Sequence, residues 1–204
     1  MARIGGAGVS GAGGSVSPDV SGLSGSSVPS DGSVSPGASV SPDASVPSDV
    51  DATWLARAID LATANVGDGG GPFGALIVGA DGDLIAEGQN RVTRDLDPTA
   101  HAEVVAIRAA CQAVGSFSLA GATLYTSCEP CPLCLAAALW SRVDRVVFAA
   151  DRYDAARGGF DDLEFYELFA RDRSTWSVSV ESARPADASL PFDTWLAAEA
   201  RTDY

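Results

Sequence analysis

Large apolar side chains first become frequent after Val50, where they recur at helical spacing. The stripe consists of Trp54, Leu55, Ala58, Ile59, Ala62 and Val66. Steps of three or four residues place such side chains on one face of a helix. We expect Asp51 or Thr53 to be the N-cap, and the glycine-rich residues 67–71 to end the helix.

Two short apolar runs follow, at residues 75–78 and 84–86, with Asp81-Gly82 between them. An Asp-Gly pair between two such runs is typical of a β-hairpin. The polar residues 90–99 then predict a loop, and the apolar periodicity that resumes predicts a helix at about 100–114.

The remaining pattern alternates strands with helices. It predicts strands at 123–126, 145–148 and 177–180, and helices at 131–141, 162–171 and 190–200. We expect the 145–148 strand to be buried. Such an order is typical of an α/β protein. The expected architecture is a three-layer α/β/α sandwich, with helices on both faces of a mixed sheet of about five strands.

Residues 1–50 differ in composition from the rest of the chain. They hold 10 of the 22 glycines and 5 of the 11 prolines, and none of the 15 aromatic residues. Residues 15–51 contain six-residue repeats such as SVSPDV and SVPSDG, whose side chains are too small to form a core. We expect residues 1–50 to be a disordered low-complexity tail and residues 51–204 to form one domain.

Charge and residue counts exclude several classes of protein. The net charge is −14, of which the tail contributes −3 (Arg3 and four aspartates) and the remaining residues −11. Such a field repels phosphate backbones, so we expect no nucleic-acid partner. All 13 basic residues are arginine. Without lysine, P-loop NTPases and PLP-dependent enzymes are excluded.

Cysteine spacing and hydropathy bear on the compartment. Three of the four cysteines lie within seven residues, which indicates metal or redox chemistry in a reducing environment rather than a disulfide framework. No segment approaches 18 consecutive apolar residues, and the N-terminus lacks the apolar core of a signal peptide. The sequence therefore predicts a cytoplasmic protein with no membrane contact.

The chemistry-bearing residues are concentrated in two segments that begin predicted helices. Cys131 and Cys134 are spaced i, i+3, so both thiols lie on one helix face within reach of one ion. His101, the only histidine, begins the other helix. Together they supply three protein ligands and leave one position open, as in a catalytic zinc site.

Glu103 lies two residues after His101, where its carboxylate would reach a zinc-bound water and move protons. The combination reads His101-Ala102-Glu103 and then Pro130-Cys131-x-x-Cys134. This H-x-E and P-C-x-x-C pattern is the signature of zinc deaminases.

Other uses of these cysteines remain open on spacing alone. A structural Cys₃His zinc site would recruit Cys128, but that thiol lies at a strand end and Glu103 would have no role. An iron–sulfur cluster would need Cys111 as a fourth thiolate, and a redox C-x-x-C pair would need neither His101 nor Glu103. Cys111 lies on the apolar helix stripe, where we expect it to be a buried hydrophobic residue.

Beyond the metal motif, residues 51–204 resemble the cytidine-deaminase-like superfamily, and within it the small zinc-dependent guanine deaminases of bacteria. The matching stretches are DPTAHAE at 97–103, LYTSCEPCPLC at 124–134, DAARGGFDD at 154–162 and the C-terminal Tyr204. The resemblance implies a zinc deaminase domain with one Zn²⁺ per subunit. It implies hydrolysis of guanine to xanthine and ammonia by a zinc-bound hydroxide, with Glu103 as proton shuttle.

The resemblance also implies roles for individual residues. Asn90 would hydrogen-bond the purine carbonyl, Phe73 would stack on the purine, and Asp162 would be a second catalytic residue that relays protons. Ala102 and Tyr204 are assigned to substrate binding as well. A turn asparagine, a core phenylalanine and a helix N-cap are the structural alternatives for the first three.

The family implies a homodimer whose C-terminal segments are exchanged, so that Tyr204 closes the partner's pocket. The expected partners are thus a small purine and a second copy of the chain. Alternative functions are a guanosine deaminase of the same group, a tRNA adenosine deaminase, and a non-catalytic zinc-stabilised interaction protein. The acidic charge disfavours the tRNA enzyme, and the presence of Glu103 disfavours the last.

Overall fold

A computed structural model of the protein describes residues 47–203. The predicted tail up to residue 46, and Tyr204, lie outside the described residues. The helices are α1 (Asp49–Gly67), α2 (Val92–Asp95), α3 (Ala102–Val114), α4 (Pro132–Trp140), α5 (Arg152–Arg157), α6 (Asp162–Phe169) and α7 (Leu190–Ala197), and the strands are β1 (Gly74–Val78), β2 (Leu84–Gln89), β3 (Thr123–Cys128) and β4 (Arg145–Ala150).

The strands form one mixed sheet in the order β2-β1-β3-β4. β1 pairs antiparallel with both β2 and β3, whereas β3 pairs parallel with β4. The predicted hairpin and the mixed sheet are therefore confirmed, with four strands in the described part of the chain.

The expectation of a fifth strand at residues 177–180 is not borne out. The Ser-Val-Ser-Val alternation is strand-like, yet Val178 and Val180 are exposed and the segment pairs with no strand among residues 47–203. A strand needs a backbone partner at a sheet edge, and sequence alternation does not supply one.

Helices cover both faces of the sheet, as expected for three layers. On one face, Leu76, Val78 and Tyr125 pack against Ala58 of α1. Alternate residues point the other way. There, a larger cluster joins the sheet to α3 and α4: Ala75, Ile77, Leu124, Ala102, Ala106 and Ala138.

Gly88 lets the start of α3 lie directly on the sheet. A Cβ at this position would lie 2.2 Å from the carbonyl oxygen of Ala102 and 2.5 Å from the nitrogen of Ala106. Only glycine permits this close approach. The contact sets the height of the α3 N-terminus above β2, and with it the location of His101.

Two details of the strand and helix predictions are wrong. β4 lies at the edge of the sheet. It is not buried as predicted, since Phe148 is 42% exposed. Ser48, not Asp51 or Thr53, caps α1, and its hydroxyl accepts from the Asp51 backbone N–H. Asp51 is instead buried, where its carboxylate accepts from the Tyr125 hydroxyl and from both terminal nitrogens of Arg145.

Helix positions otherwise agree with the sequence pattern to within a few residues. The structure adds α2 inside the predicted 90–99 loop and α5 before the predicted 162–171 helix. None of the helices between residues 47 and 203 combines the length and hydrophobicity needed to cross a membrane.

Candidate active site

Three helix N-termini converge on the candidate site. His101 is the N-cap residue of α3, Cys131 is the N-cap residue of α4, and Asp162 is the first residue of α6. Pro132 fits the first position of α4, since proline lacks the N–H that would be unsatisfied there. Helix N-termini favour negative charge, which suits thiolates and carboxylates.

The predicted metal ligands lie together in the structure. His101 Nδ1 is 3.4 Å from Cys134 Sγ and 3.6 Å from Cys131 Sγ, and the two sulfurs are 3.6 Å apart. Tetrahedral zinc, with Zn–S of about 2.3 Å and Zn–N of about 2.0 Å, requires S···S of about 3.8 Å and N···S of about 3.5 Å. The three side chains therefore fit one zinc ion, and the protein supplies three of its four ligands.

The ligand cluster favours one ionised thiol, and a thiolate attracts a cation. Hydrogen bonds with Cys134 and then with His101 lower the pKa of Cys131 to about 4. The pKa of Cys134 is raised, because its thiol bonds to Cys131 and is buried. Zinc binds thiolates, so metal binding would release the protons that the ligands carry.

Glu103 is the buried carboxylate of the site, with 5% of its surface exposed. Burial raises its pKa to about 7. A carboxyl group with a pKa near neutrality can both take and return a proton, which general acid–base catalysis requires. The structure therefore brings the predicted proton shuttle to the predicted metal cluster.

A cavity of about 210 Å³ opens beside the ligand cluster. Its walls come from the β1–β2 hairpin, from the starts of α2, α3 and α6, and from the segment before α4. The lining residues are Gly71, Phe73, Asn90, Val92, Thr93, His101, Glu103, Glu129, Cys131, Phe160 and Asp162.

The antiparallel hairpin brings Phe73 and Asn90 to the same end of the sheet. Gly74 pairs with Gln89 at the end of the ladder, and the Asn90 N–H donates to the Phe73 carbonyl at 3.1 Å. Phe73 meets Phe160 edge to face, with ring centroids 4.7 Å apart. One wall thus offers an aromatic ring and a primary amide to a planar ligand.

Asn65, which the sequence did not single out, braces this wall. Its side chain is fully buried, and its amide group donates to the carbonyls of Gly71 and Asn90, each at 2.8 Å. The Asn65 oxygen accepts from Arg94 at 3.3 Å. The backbone segments at Gly71 and Asn90, which both line the cavity, are therefore held by one buried side chain from α1.

Asp162 lines the same cavity. Burial raises its pKa, and the negative charge of Cys131 acts in the same direction. Its predicted role remains a prediction, but the structure does bring it to the cavity with Glu103 and the metal ligands.

Glu129, Arg152 and Tyr166 form a polar cluster beside the zinc motif that local sequence patterns did not reveal. The Arg152 backbone N–H and Nε donate to Glu129 Oε2 at 3.1 and 2.9 Å. The guanidinium of Arg152 lies 3.6 Å from the centre of the Tyr166 ring. The only available signal was the presence of Glu129 inside the C-E-P-C motif.

The other sequence assignments have different outcomes. The Ala102 side chain is fully buried against the sheet and does not line the cavity, so any contact with substrate falls to its backbone. Cys128 is a buried thiol at the end of β3, and burial raises its pKa to about 12. Cys111 is only partly buried and lies outside the ligand cluster.

Comparison with known proteins supports the same site. Residues 48–150 match the cytidine and deoxycytidylate deaminase zinc-binding region. The chain is 48% identical to the guanine deaminase of Bacillus subtilis over 144 residues, which are 70% of this chain and 92% of that protein. It is 37% identical to the tRNA-specific adenosine deaminase of Haemophilus influenzae over 122 residues, or 57% of this chain and 70% of that protein.

The fold agrees with the same comparison. The X-ray structure of guanine deaminase from Bacillus subtilis aligns with a TM-score of 0.72 and 45% sequence identity, over 75% of this chain and 98% of that chain. This protein is therefore a member of the zinc-dependent deaminase family defined by the cytidine and deoxycytidylate deaminase zinc-binding region, together with the guanine deaminase of Bacillus subtilis.

Proposed function

We propose that this protein is a zinc-dependent guanine deaminase, which hydrolyses guanine to xanthine and ammonia. The observation that carries the proposal is one cavity that is lined both by His101, Cys131 and Glu103 and by Phe73 and Asn90. The first group of residues suits hydrolysis of an amidine-like carbon, and the second suits a planar base. The 48% identity to a guanine deaminase supports the choice of base.

Zinc held by His101, Cys131 and Cys134 would supply a nucleophile at neutral pH by lowering the pKa of its bound water from about 15.7 towards about 7. Glu103 takes one proton from the attacking water and delivers it to a ring nitrogen. It then takes the second proton of that water, now the hydroxyl on the reacting carbon, and delivers it to the leaving amine as the carbon–nitrogen bond breaks. Its burial and its pKa of about 7 suit both directions of transfer.

The remaining side chains orient the base. The Asn90 amide hydrogen-bonds the purine carbonyl, and the Phe73 ring stacks on the purine. Asp162 receives a ring N–H or the exocyclic amine and assists the proton relay. Ala102 contributes through the first turn of α3, where N–H groups have no partner within the helix.

The 48% identity to a guanine deaminase favours the free base over guanosine. The cavity of about 210 Å³ is small beside the ~300–1,000 Å³ of pockets for drug-sized ligands. Guanosine deamination remains the alternative within the same group.

Other activities have less support. The similarity to a tRNA-specific adenosine deaminase covers 57% of the chain at 37% identity, against 70% at 48% for the guanine deaminase. The charge of −11 outside the tail also opposes binding of tRNA. A non-catalytic role would leave Glu103 buried beside the metal ligands without a function.

The proposal includes a homodimer that exchanges C-terminal segments, so that Tyr204 of one subunit closes the cavity of the other. Support comes from the exposed apolar side chains of α7, which include Leu190, Phe192 and Leu196. The proposal also includes a cytoplasmic location, where reducing conditions keep closely spaced thiols available for zinc.

Ammonia release from a substrate panel tests the proposed function. Zinc-loaded protein is incubated separately with guanine, guanosine, cytosine, ammeline and a tRNA adenosine substrate. We expect release from guanine with the highest kcat/KM. A higher kcat/KM for guanosine would establish the alternative, and no release from guanine would refute the main proposal.

A further inference from the structure

Helix α6 is attached to the zinc-ligand segment by one tyrosine. The Tyr166 hydroxyl donates to the Pro130 carbonyl at 2.6 Å, and Pro130 is the residue before the ligand Cys131. These partners lie 36 residues apart in the chain. The bond therefore joins two separate elements of the site rather than stabilising a local turn.

The Tyr166 ring is held on its other side by Arg152. The guanidinium carbon lies 3.6 Å from the ring centroid, a close cation–π contact. Arg152 is itself fixed by Glu129, which accepts from its backbone N–H and from its side chain. Glu129 is 14% and Arg152 29% exposed, so water competes only in part for this ion pair.

This chain of contacts leads back to the segment before Cys131, where it began. Glu129 directly precedes Pro130 in the chain, and its backbone N–H donates to the Ala150 carbonyl at 2.8 Å. Arg152 begins α5, and Tyr166 lies within α6. We call Glu129, Arg152 and Tyr166 the clamp, since they join α5 and α6 to the residues that lead into Cys131.

Asp162 lies on the same side of α6 as Tyr166. The two residues are four positions apart, which places their side chains one above the other on one helix face. Asp162 lines the cavity, whereas Tyr166 contacts Pro130, which lies between the cavity-lining residues Glu129 and Cys131. A rotation or shift of α6 would therefore change the distance of Asp162 from the cavity and from Glu103.

We propose that Tyr166 is a positioning residue, whose contacts with Pro130 and Arg152 hold α6 so that Asp162 reaches the purine at a set distance from the zinc ligands. The inference rests on the proposed function in one respect, that Asp162 acts on the substrate. A displacement of about 1 Å at a reacting group can cost about 10²-fold in rate.

The Tyr166→Phe variant removes the hydroxyl and keeps the ring over Arg152. We expect kcat for guanine to fall about tenfold, KM to stay within about twofold, and zinc to remain at one ion per chain. Tyr153→Phe is the matched control, because Tyr153 lies on α5 with 62% of its surface exposed. The control should keep the wild-type kcat.

A double-mutant cycle separates positioning of Asp162 from general weakening of the fold. If Tyr166 acts through Asp162, then Tyr166→Phe should lower kcat little or not at all in an Asp162→Asn background. Multiplicative losses in the double variant, or a wild-type kcat for Tyr166→Phe, would overturn the proposal. A second variant, Arg152→Met, should lower kcat in the same direction as Tyr166→Phe.

A readout without substrate keeps this test apart from the proposed function. Crystal structures of the zinc-loaded wild type and Tyr166→Phe give the distance from the Asp162 carboxylate to Cys131 Sγ in each. We expect this distance to be longer or more variable in the variant. The same distance and the same position of α6 in both proteins would overturn the proposed role of the clamp. A wild type that does not deaminate guanine would refute the proposed function, while this distance would still decide the role of the clamp.

Discussion

The zinc-ligand region and the segment after α6 differ in how completely one chain buries them. In the first, Ala102 and Cys134 are fully buried, and Glu103 is 5% exposed. In the second, Phe192 and Leu196 of α7 are 71% and 65% exposed. Apolar side chains that one chain leaves exposed side by side on a helix are typical of a contact with another molecule.

The metal-binding part of the site is formed within one chain, whereas the C-terminal segment is left incompletely packed by one chain. The metal ligands and Glu103 are fixed by α3, α4 and the sheet, within a single core. The C-terminal segment has the apolar residues of a core but no comparable burial. One chain therefore suffices for the metal chemistry, and our proposed dimer would complete the substrate pocket.

The largest effect is expected from loss of a metal ligand. Cys134→Ser should abolish zinc binding and reduce deamination to background, because the remaining two ligands cannot hold the ion tightly. Metal analysis and ammonia release measure the two effects. Cys111→Ser is the matched control, since that thiol lies outside the ligand cluster and should be dispensable. Full activity of Cys134→Ser would show that the ligand region is not the site of catalysis.

The next effect tests the proton shuttle while keeping the metal. Glu103→Gln should retain one zinc per chain but lose about 10²–10⁴-fold in kcat, the usual contribution of a general acid–base group. The exposed Glu164→Gln on α6 should have wild-type kinetics. If Glu103→Gln turned over at the wild-type rate, proton transfer would have to occur elsewhere.

A smaller effect should follow from shortening the C-terminal segment. Deletion of residues 200–204 removes Tyr204 and should lower kcat/KM for guanine by about tenfold or more, because the cavity is then open to water. Sedimentation of the full chain should report a dimer. Deletion of residues 1–44 is the control truncation, for which we expect unchanged turnover. A fully active 200–204 deletion would contradict closure by the C-terminus.

The smallest effect should follow from loss of the ion pair between Asp51 and Arg145, which lies within one chain. The pKa of the buried Asp51 lies well below its usual 3.8, and the largest cause is its hydrogen bonding with Arg145. Asp51→Asn should therefore destabilise the protein by about 1–2 kcal/mol at pH 7, less than a fully buried pair because Arg145 is half exposed.

The pH dependence of that effect has a defined sign. A depressed native pKa stabilises the fold above the unfolded pKa of about 3.9, and the contribution is lost as pH falls through the native value. The gap in the free energy of unfolding between wild type and Asp51→Asn should therefore be full at pH 6–8 and narrow below about pH 4. Denaturant titrations measure it, with the exposed Asp49→Asn as control.

Local patterns were sufficient for the metal site and for most elements. His101, Glu103, Cys131 and Cys134 belong to two short motifs at helix starts, so their relative directions follow from helix geometry. Helical and alternating periodicity located α1, α3, α4 and the first four strands. Each motif and each element is encoded within a few residues, which is why the sequence alone determined it, whereas the fold brings His101 and Cys131 together across 30 residues.

Contacts between distant residues were decided only by the tertiary structure. Asn65 bonds to Asn90 across 25 residues, Tyr166 to Pro130 across 36, and Arg145 to Asp51 across 94. None of these pairs leaves a periodic signal, because each depends on which elements the fold brings together. The wrong prediction of a strand at residues 177–180 has the same physical explanation. Its alternation is local, whereas the hydrogen-bond partner that would make it a strand must come from elsewhere in the fold.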